Sequence, residues 1–403
     1  MANAGSKDGK NASQRVRDWT GPGVFTYGYR PFFLLAGIWA SLSMVAWVAM
    51  LIGWTPGTIG FDPISWHAHE MLFGFVGAVL AGFLLTAVPN WTGRLPIIGW
   101  PLAALSLIWC IGRLAIFVGA ALPAWGVALA DLMFPVVLAV LIAREILAGK
   151  NWRNLVVLAM LVLFILSNLL FHITQAQSGY GAGSFGFRLG LGSTIMLIII
   201  IGGRIVPSFT RNWMVKRGET ALPVPMNQFD KAVLLISGAT LLGWSVWPYS
   251  QAVGGLAALA GVLNVIRLGR WCGLRTLAEP LLWILHVGYA FVPLGFLSLA
   301  AAIFELPFSP MIGAEHLWMA GAIGVMTLAM MTRASLGHAG RPLEATPGVA
   351  RVYGLILIAI VMRYLAAMGV TSDWALWVSA ICWIAGFAGF VVLYWPILTQ
   401  KRG

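Results

Sequence analysis

Charge is what this chain has least of. Only 9% of its 403 residues are Asp, Glu, Lys or Arg, against about a quarter in an ordinary soluble domain. That deficit excludes a water-soluble globule. Cysteine is almost as scarce: Cys110, Cys272 and Cys382 are three scattered residues, so neither a disulfide framework nor a CxxC metal motif is present. Residues 1–20 are polar and basic with no apolar core, and no cleavable signal peptide is expected. No nucleotide-binding motif and no quinone signature is recognisable. Histidine is limited to six residues, which makes each one informative.

What the chain does have is apolar length. Hydrophobic residues make up 60% of it, in runs near the ~20 residues that cross a bilayer as a helix. Bounded by charge, proline and glycine, the runs lie at about 31–53, 66–88, 97–120, 123–143, 155–174, 188–203, 232–247, 251–267, 280–304, 316–332, 351–370 and 374–398. The seventh and eighth are the weakest, and Trp247-Pro248-Tyr249-Ser250 reads as the turn between them. The expected fold is all-α: a polytopic integral membrane protein of about twelve helices, surrounded by lipid. Residues 1–24 form a basic tail and 25–403 a single transmembrane domain.

The formal charge of +12 first suggests nucleic acid, but its placement explains it otherwise. Basic residues before span one, after spans two and four, between six and seven, eight and nine, ten and eleven, and at the end of the chain all fall on one side of a twelve-span topology. The opposite loops carry Asp62, Glu305, Glu315 and Asp373. By the positive-inside rule both termini are cytoplasmic. The charge is topological, and no nucleic-acid partner is implied. Four ionisable residues break the pattern by lying within or at the end of spans: Arg113, Asp131, Arg188 and Arg363. Such groups are costly at membrane depth unless paired or facing a polar space, so each is a functional candidate. Two readings stand: an Arg113–Asp131 ion pair between adjacent antiparallel helices, or arginines that hold the carboxylates of a bound cofactor, such as haem propionates.

The segment Asp62-Pro63-Ile64-Ser65-Trp66-His67-Ala68-His69-Glu70 concentrates this chemistry. Asp before Pro is a helix start, with Asp as N-cap. A helix from Asp62 would put His67 and His69 about 200° apart, facing different neighbours, whereas an extended segment would let them share one metal. His67, His69, His316 and His172 fall at the outer ends of spans; His286 and His338 lie toward the cytoplasmic side. A histidine at a membrane edge is often an interfacial hydrogen-bonding residue. Spans two and ten, however, share a plan: a His–Glu neighbour pair (His69-Glu70; Glu315-His316), then close glycines (Gly74, Gly77; Gly321, Gly324). The glycines let a flat macrocycle or another helix approach closely.

Imidazole suits haem iron, copper and zinc. The zinc hydrolase pattern HExxH is absent because Glu70 is followed by Met71, Leu72 and Phe73, and no CxxCH exists for covalent haem. Bis-histidine haem b needs one histidine from each of two helices, which His69 (or His67) and His316 could supply. Copper could take His67 or His172 outside, or His286 and His338 inside. Met326, Met330 and Met331 could add thioether ligands for Cu(I) or simply pack. Spans two, six and ten recur on the order of every 120–130 residues, as three pseudo-repeated four-helix units would. That plan is similar to that of haem–copper oxidases, although spans six and seven lack the histidines with which that family binds copper.

Several stretches resemble the NnrS family of bacterial membrane proteins: Tyr27-Gly28-Tyr29-Arg30-Pro31-Phe32-Phe33, His67-Ala68-His69-Glu70-Met71, Gly82 to Gly93, Gly203-Arg204-Ile205-Val206-Pro207, and Met331 to His338. The likeness runs from near residue 24 to the end of the chain. It implies a haem- and copper-containing inner-membrane protein linked to denitrification and to tolerance of nitric oxide. Nitric oxide would be dealt with by redox turnover or by binding, and turnover would draw electrons from quinol or a periplasmic cytochrome. Arg113, Arg188 and Arg363 are expected as cofactor contacts. The alternative is a transporter of haem, copper or a small solute, with the buried arginines lining its path.

Overall fold

The computed structural model describes residues 14, 16, 18–54, 57–371 and 373–401. Most of the basic tail, residues 1–13, 15 and 17, lies outside them, as does Arg402. Among the described residues, twelve helices are long and apolar enough to cross a membrane: α1 Tyr29–Leu51, α2 Pro63–Thr92, α3 Trp100–Phe117, α4 Ala124–Ala148, α5 Trp152–Ser178, α6 Phe185–Lys216, α7 Gln228–Val246, α8 Gln251–Gly269, α9 Pro280–Ile303, α10 Met311–His338, α11 Pro347–Ala367 and α12 Trp374–Thr399. The protein is a multi-pass, all-α membrane protein. Consecutive helices pack as hairpins, and α12 returns to pack on α1.

Helices α2, α6 and α10 run past their expected ends. The apolar runs end at residue 88, before Pro89, and at residue 203, short of Pro207, yet both prolines lie inside helices. In a packed membrane bundle neighbouring groups take up the carbonyl that proline frees, so the helix continues. It stops instead at Gly93, whose φ of +68° gives α2 a left-handed C-terminus. The same three helices, with α9, form the interior. About 78%, 72% and 61% of the apolar stretches of α2, α6 and α10 and 67% of that of α9 are buried, against 33% for α1, α4, α11 and α12.

Each of the three also contains a π-helical stretch: Glu70–Phe75 in α2, Ile198–Gly202 in α6 and Leu317–Val325 in α10. A π turn leaves the i→i−4 ladder locally and re-aims side chains. Its recurrence on every fourth helix follows the period of the proposed four-helix units. In α6 the Ile199 carbonyl, which accepts the Gly203 amide, also accepts from the Arg267 guanidinium at 3.1 Å, and that guanidinium bonds Asp230 at 3.0 Å and the Tyr289 hydroxyl at 2.9 Å. By sequence Arg267 falls among the basic residues between spans eight and nine. It is buried, with these acceptors engaging its Nε and Nη1.

Candidate functional site

The start of α2 fixes the site. Asp62 accepts from the amides of Ile64 and Ser65 at 3.1 and 3.0 Å, and Pro63 holds the first helical position. The segment is therefore helical, and His67 and His69 leave it on opposite sides. One enters an apolar cavity. The other enters a buried network of charges.

The cavity has a volume of about 300 Å³ and is walled by α1, α2, α10, α11 and α12, at the small end of the range for ligand sites. His67, His316 and Arg363 line it, among methionines and tryptophans including Met71, Met319 and Trp383. The Trp47 ring stacks on the His67 imidazole at 4.5 Å and 19°. His67 Nδ1 is buried and has no partner among the described residues. His316 Nδ1 lies 2.8 Å from the Ile312 carbonyl oxygen. A carbonyl only accepts, so Nδ1 carries the proton and Nε2 keeps its lone pair. Arg363 makes no side-chain hydrogen bond or ion pair among the described residues. The wall thus combines apolar surface with two imidazoles and a guanidinium whose bonding capacity is unspent.

On the far side of α2, His69 and Glu70 meet side chains of α3, α4 and α5. His69 Nδ1 is 3.0 Å from Glu70 Oε1; its Nε2 is 3.2 Å from Asp131 Oδ2 and 3.1 Å from Asn168 Oδ1. His172 Nε2 approaches the same Asp131 Oδ2 at 3.0 Å, and the Asn168 amide donates to it at 2.7 Å. Arg113 donates to Glu70 Oε1 at 2.6 Å and to Asp131 Oδ1. All of these residues are buried. Two carboxylates against one guanidinium leave one negative charge if both are ionised, which a membrane interior tolerates only when a proton or a further cation neutralises it. Both ring nitrogens of His69 face acceptors, so the missing charge belongs there: a proton on the imidazole, or a metal ion among His69, Asp131 and His172. One ligand atom from each of those three lies within 4.8 Å of the others. Two imidazoles and a carboxylate, with an amide oxygen close by, suit a borderline divalent ion.

The sequence matches the NnrS protein family over residues 23–402. The chain belongs to the NnrS family. No curated protein matches it. Stretches that carry the likeness to NnrS proteins meet in space: the Tyr29 ring lies 5.6 Å from that of His338, and a Cβ on Gly82 would come within 2.6 Å of Phe33.

In this NnrS family member the remaining candidates stand apart from both groups. Arg188 donates to the backbone carbonyls of Ser245, at 3.1 Å, and Gly183, clipping the end of α7 to the start of α6. His286 Nε2 is 2.8 Å from Thr210 Oγ1, while its Nδ1 is buried without a partner among the described residues. His338 meets Tyr29 instead of His286, so the inner histidines are held in different contacts. Met331 is fully buried packing, and Met326 and Met330 line a second, apolar cavity. The glycines after the histidines admit helices: a Cβ on Gly74 would meet Arg113 at 2.7 Å, and one on Gly321 would meet Phe291 at 2.6 Å. Asn168 escaped the sequence reading. Its signal was available, since Asn168 and His172 are four residues apart and share one face of α5.

Proposed function

We propose that this protein binds haem b in the apolar cavity through His67 and His316, and that it meets nitric oxide there within the bacterial inner membrane, both termini being cytoplasmic. The observation that carries the reading is the composition of one wall: two imidazoles from different helices, and an arginine that makes no hydrogen bond or ion pair among the described residues, facing the same apolar space. Unspent polar groups at membrane depth are costly and are kept for a ligand. The Ile312 carbonyl holds His316 in the tautomer that leaves Nε2 for iron, the usual arrangement of a metal-binding histidine. Trp47 orients the His67 ring, and the Arg363 guanidinium suits a haem carboxylate. Haem held by these two histidines would supply an iron that can change oxidation state and that would take nitric oxide in place of one of the imidazoles. Nitric oxide itself enters the reading through the family, together with the apolar walls, which admit a small uncharged molecule and exclude water. Copper would take the second group, His69, Asp131 and His172, where it would supply the missing positive charge.

The test is the absorption spectrum and metal content of the purified protein beside its His67→Ala, His316→Ala and His172→Ala variants. The expected result is a Soret band with iron in the wild type, lost in the first two variants. His172→Ala should keep the band and lose copper. A wild type with neither Soret band nor iron overturns the haem reading, and solute uptake into proteoliposomes by such a haem-free protein would make it a transporter.

A further inference from the structure

The histidine cavity continues beyond its imidazoles. A second cavity, of about 80 Å³, lies where the three π-bearing helices α2, α6 and α10 converge, with Phe33 of α1 at its side. Val76 and Ile323 belong to the walls of both cavities. On α10 the lining passes from His316 through Ala320 and Ile323 to Thr327 and Met330. On α2 it passes from His67 through Met71, Phe75 and Val79 to Phe83. Every step is three or four residues, so one face of each helix lines both spaces. The π stretches all border the junction: Ile198, Ile201 and Gly202 on α6, Ile323 on α10, and Val76 directly after the one on α2.

The second cavity offers nothing to water. Its two hydroxyls are committed to their own helices, Thr194 to the Gly190 carbonyl at 2.9 Å and Thr327 to the Gly324 carbonyl at 3.0 Å. The rest of the wall is aliphatic, aromatic or thioether, apart from Gly202. The space is a partly open crevice; with no polar partners for water, an apolar space of this size takes xenon or a small apolar ligand.

We propose that the space between α2, α6 and α10 is a binding site for a small uncharged gas molecule, and that it feeds the histidine cavity between Val76 and Ile323. The binding site stands on the cavity alone; its role as a feeder rests on the haem reading above. Xenon is the probe for the first part. On the purified full-length protein with methyl-labelled methionine, hyperpolarised xenon should transfer polarisation to the Met326 and Met330 methyls. Two filling substitutions on different helices, Leu80→Trp and Thr327→Phe, should each abolish that transfer. The second part is read from the rate of nitric oxide rebinding after flash photolysis. Filling the site should slow it about tenfold, with haem content and spectrum unchanged.

Absence of xenon from the Met326 and Met330 methyls of the wild type overturns the site, and that measurement needs no variant. Haem-loaded filling variants that rebind nitric oxide at the wild-type rate overturn the feeder. Xenon at these methyls in a protein without haem supports the site while refuting the haem assignment, so the two failures are distinguishable.

Discussion

His67 and His69 are one residue apart and lie in opposite chemistry. On the His69 side of α2, Arg113, Asp131, Asn168, Glu70 and two imidazoles bond mainly to one another, with Glu70 Oε2 and Arg113 Nε left without a partner among the described residues. The His67 side is apolar, and its few polar groups have bonding capacity that no protein group uses. Burial differs as well: the His69 group is buried throughout, while His67, His316 and Arg363 are half-buried. The difference that bears on function is satisfaction. A polar group fully engaged by its neighbours holds helices together, and one left unengaged in an apolar wall is available to a ligand.

The largest expected effects break that comparison outright. His316→Ala should remove the Soret band entirely while leaving the thermal midpoint in detergent nearly unchanged, because the ring bonds nothing in the fold beyond its own helix. A variant that keeps its haem would move the cofactor out of the apolar side. On the polar side the effect should be the reverse. Asp131→Ala strips an acceptor shared by Arg113, His69, His172 and Asn168. Leaving the guanidinium poorly paired at depth should cost about 3–5 kcal/mol, read as a large fall in thermal midpoint or failure to accumulate in the membrane. Unchanged stability would mean that the network does not hold α2 to α5.

Smaller effects sharpen it. Arg363→Gln removes one charge-assisted bond to a haem carboxylate, worth about 1.5–3 kcal/mol. Haem transfer to apomyoglobin should then be on the order of ten- to a hundredfold faster, with the spectrum itself unmoved. Equal transfer rates in wild type and variant would free Arg363 from that role. Asp62→Ala loses the cap that starts α2 and should cost about 1 kcal/mol. Thermal unfolding checks it, and the haem should stay, because the tryptophan stack and the helix packing still aim His67.

The twelve helices, their turns and the one-sided loop charges were legible because each is a local or additive property: length of apolar run, proline and glycine, sign of charge. The divergence of His67 from His69 was legible once Asp62-Pro63 was read as a helix start. The π stretches were not. Helices α2, α6 and α10 are apolar nearly all round, so no period in their composition marks where a turn widens. Arg267 looked like a loop cation for a related reason, since its principal acceptors are a carbonyl in the π stretch of α6 and a carboxylate on α7. Neither is near it in the chain. The candidate partners split in the same way: Asp131 stood out as an acid within a span, while Asn168 is uncharged and became visible only beside it.

By itself, then, the order of residues determined a helical membrane protein with imidazoles gathered toward one side, since bilayer thickness and the cost of burying charge act on each segment alone. Only the packing of the helices decided that His67 shares a cavity with His316 and Arg363 while His69 joins Asp131 and His172. A side chain's direction comes from the helix that carries it, but its neighbours come from whichever helices lie opposite, and that choice is made by contacts between distant parts of the chain.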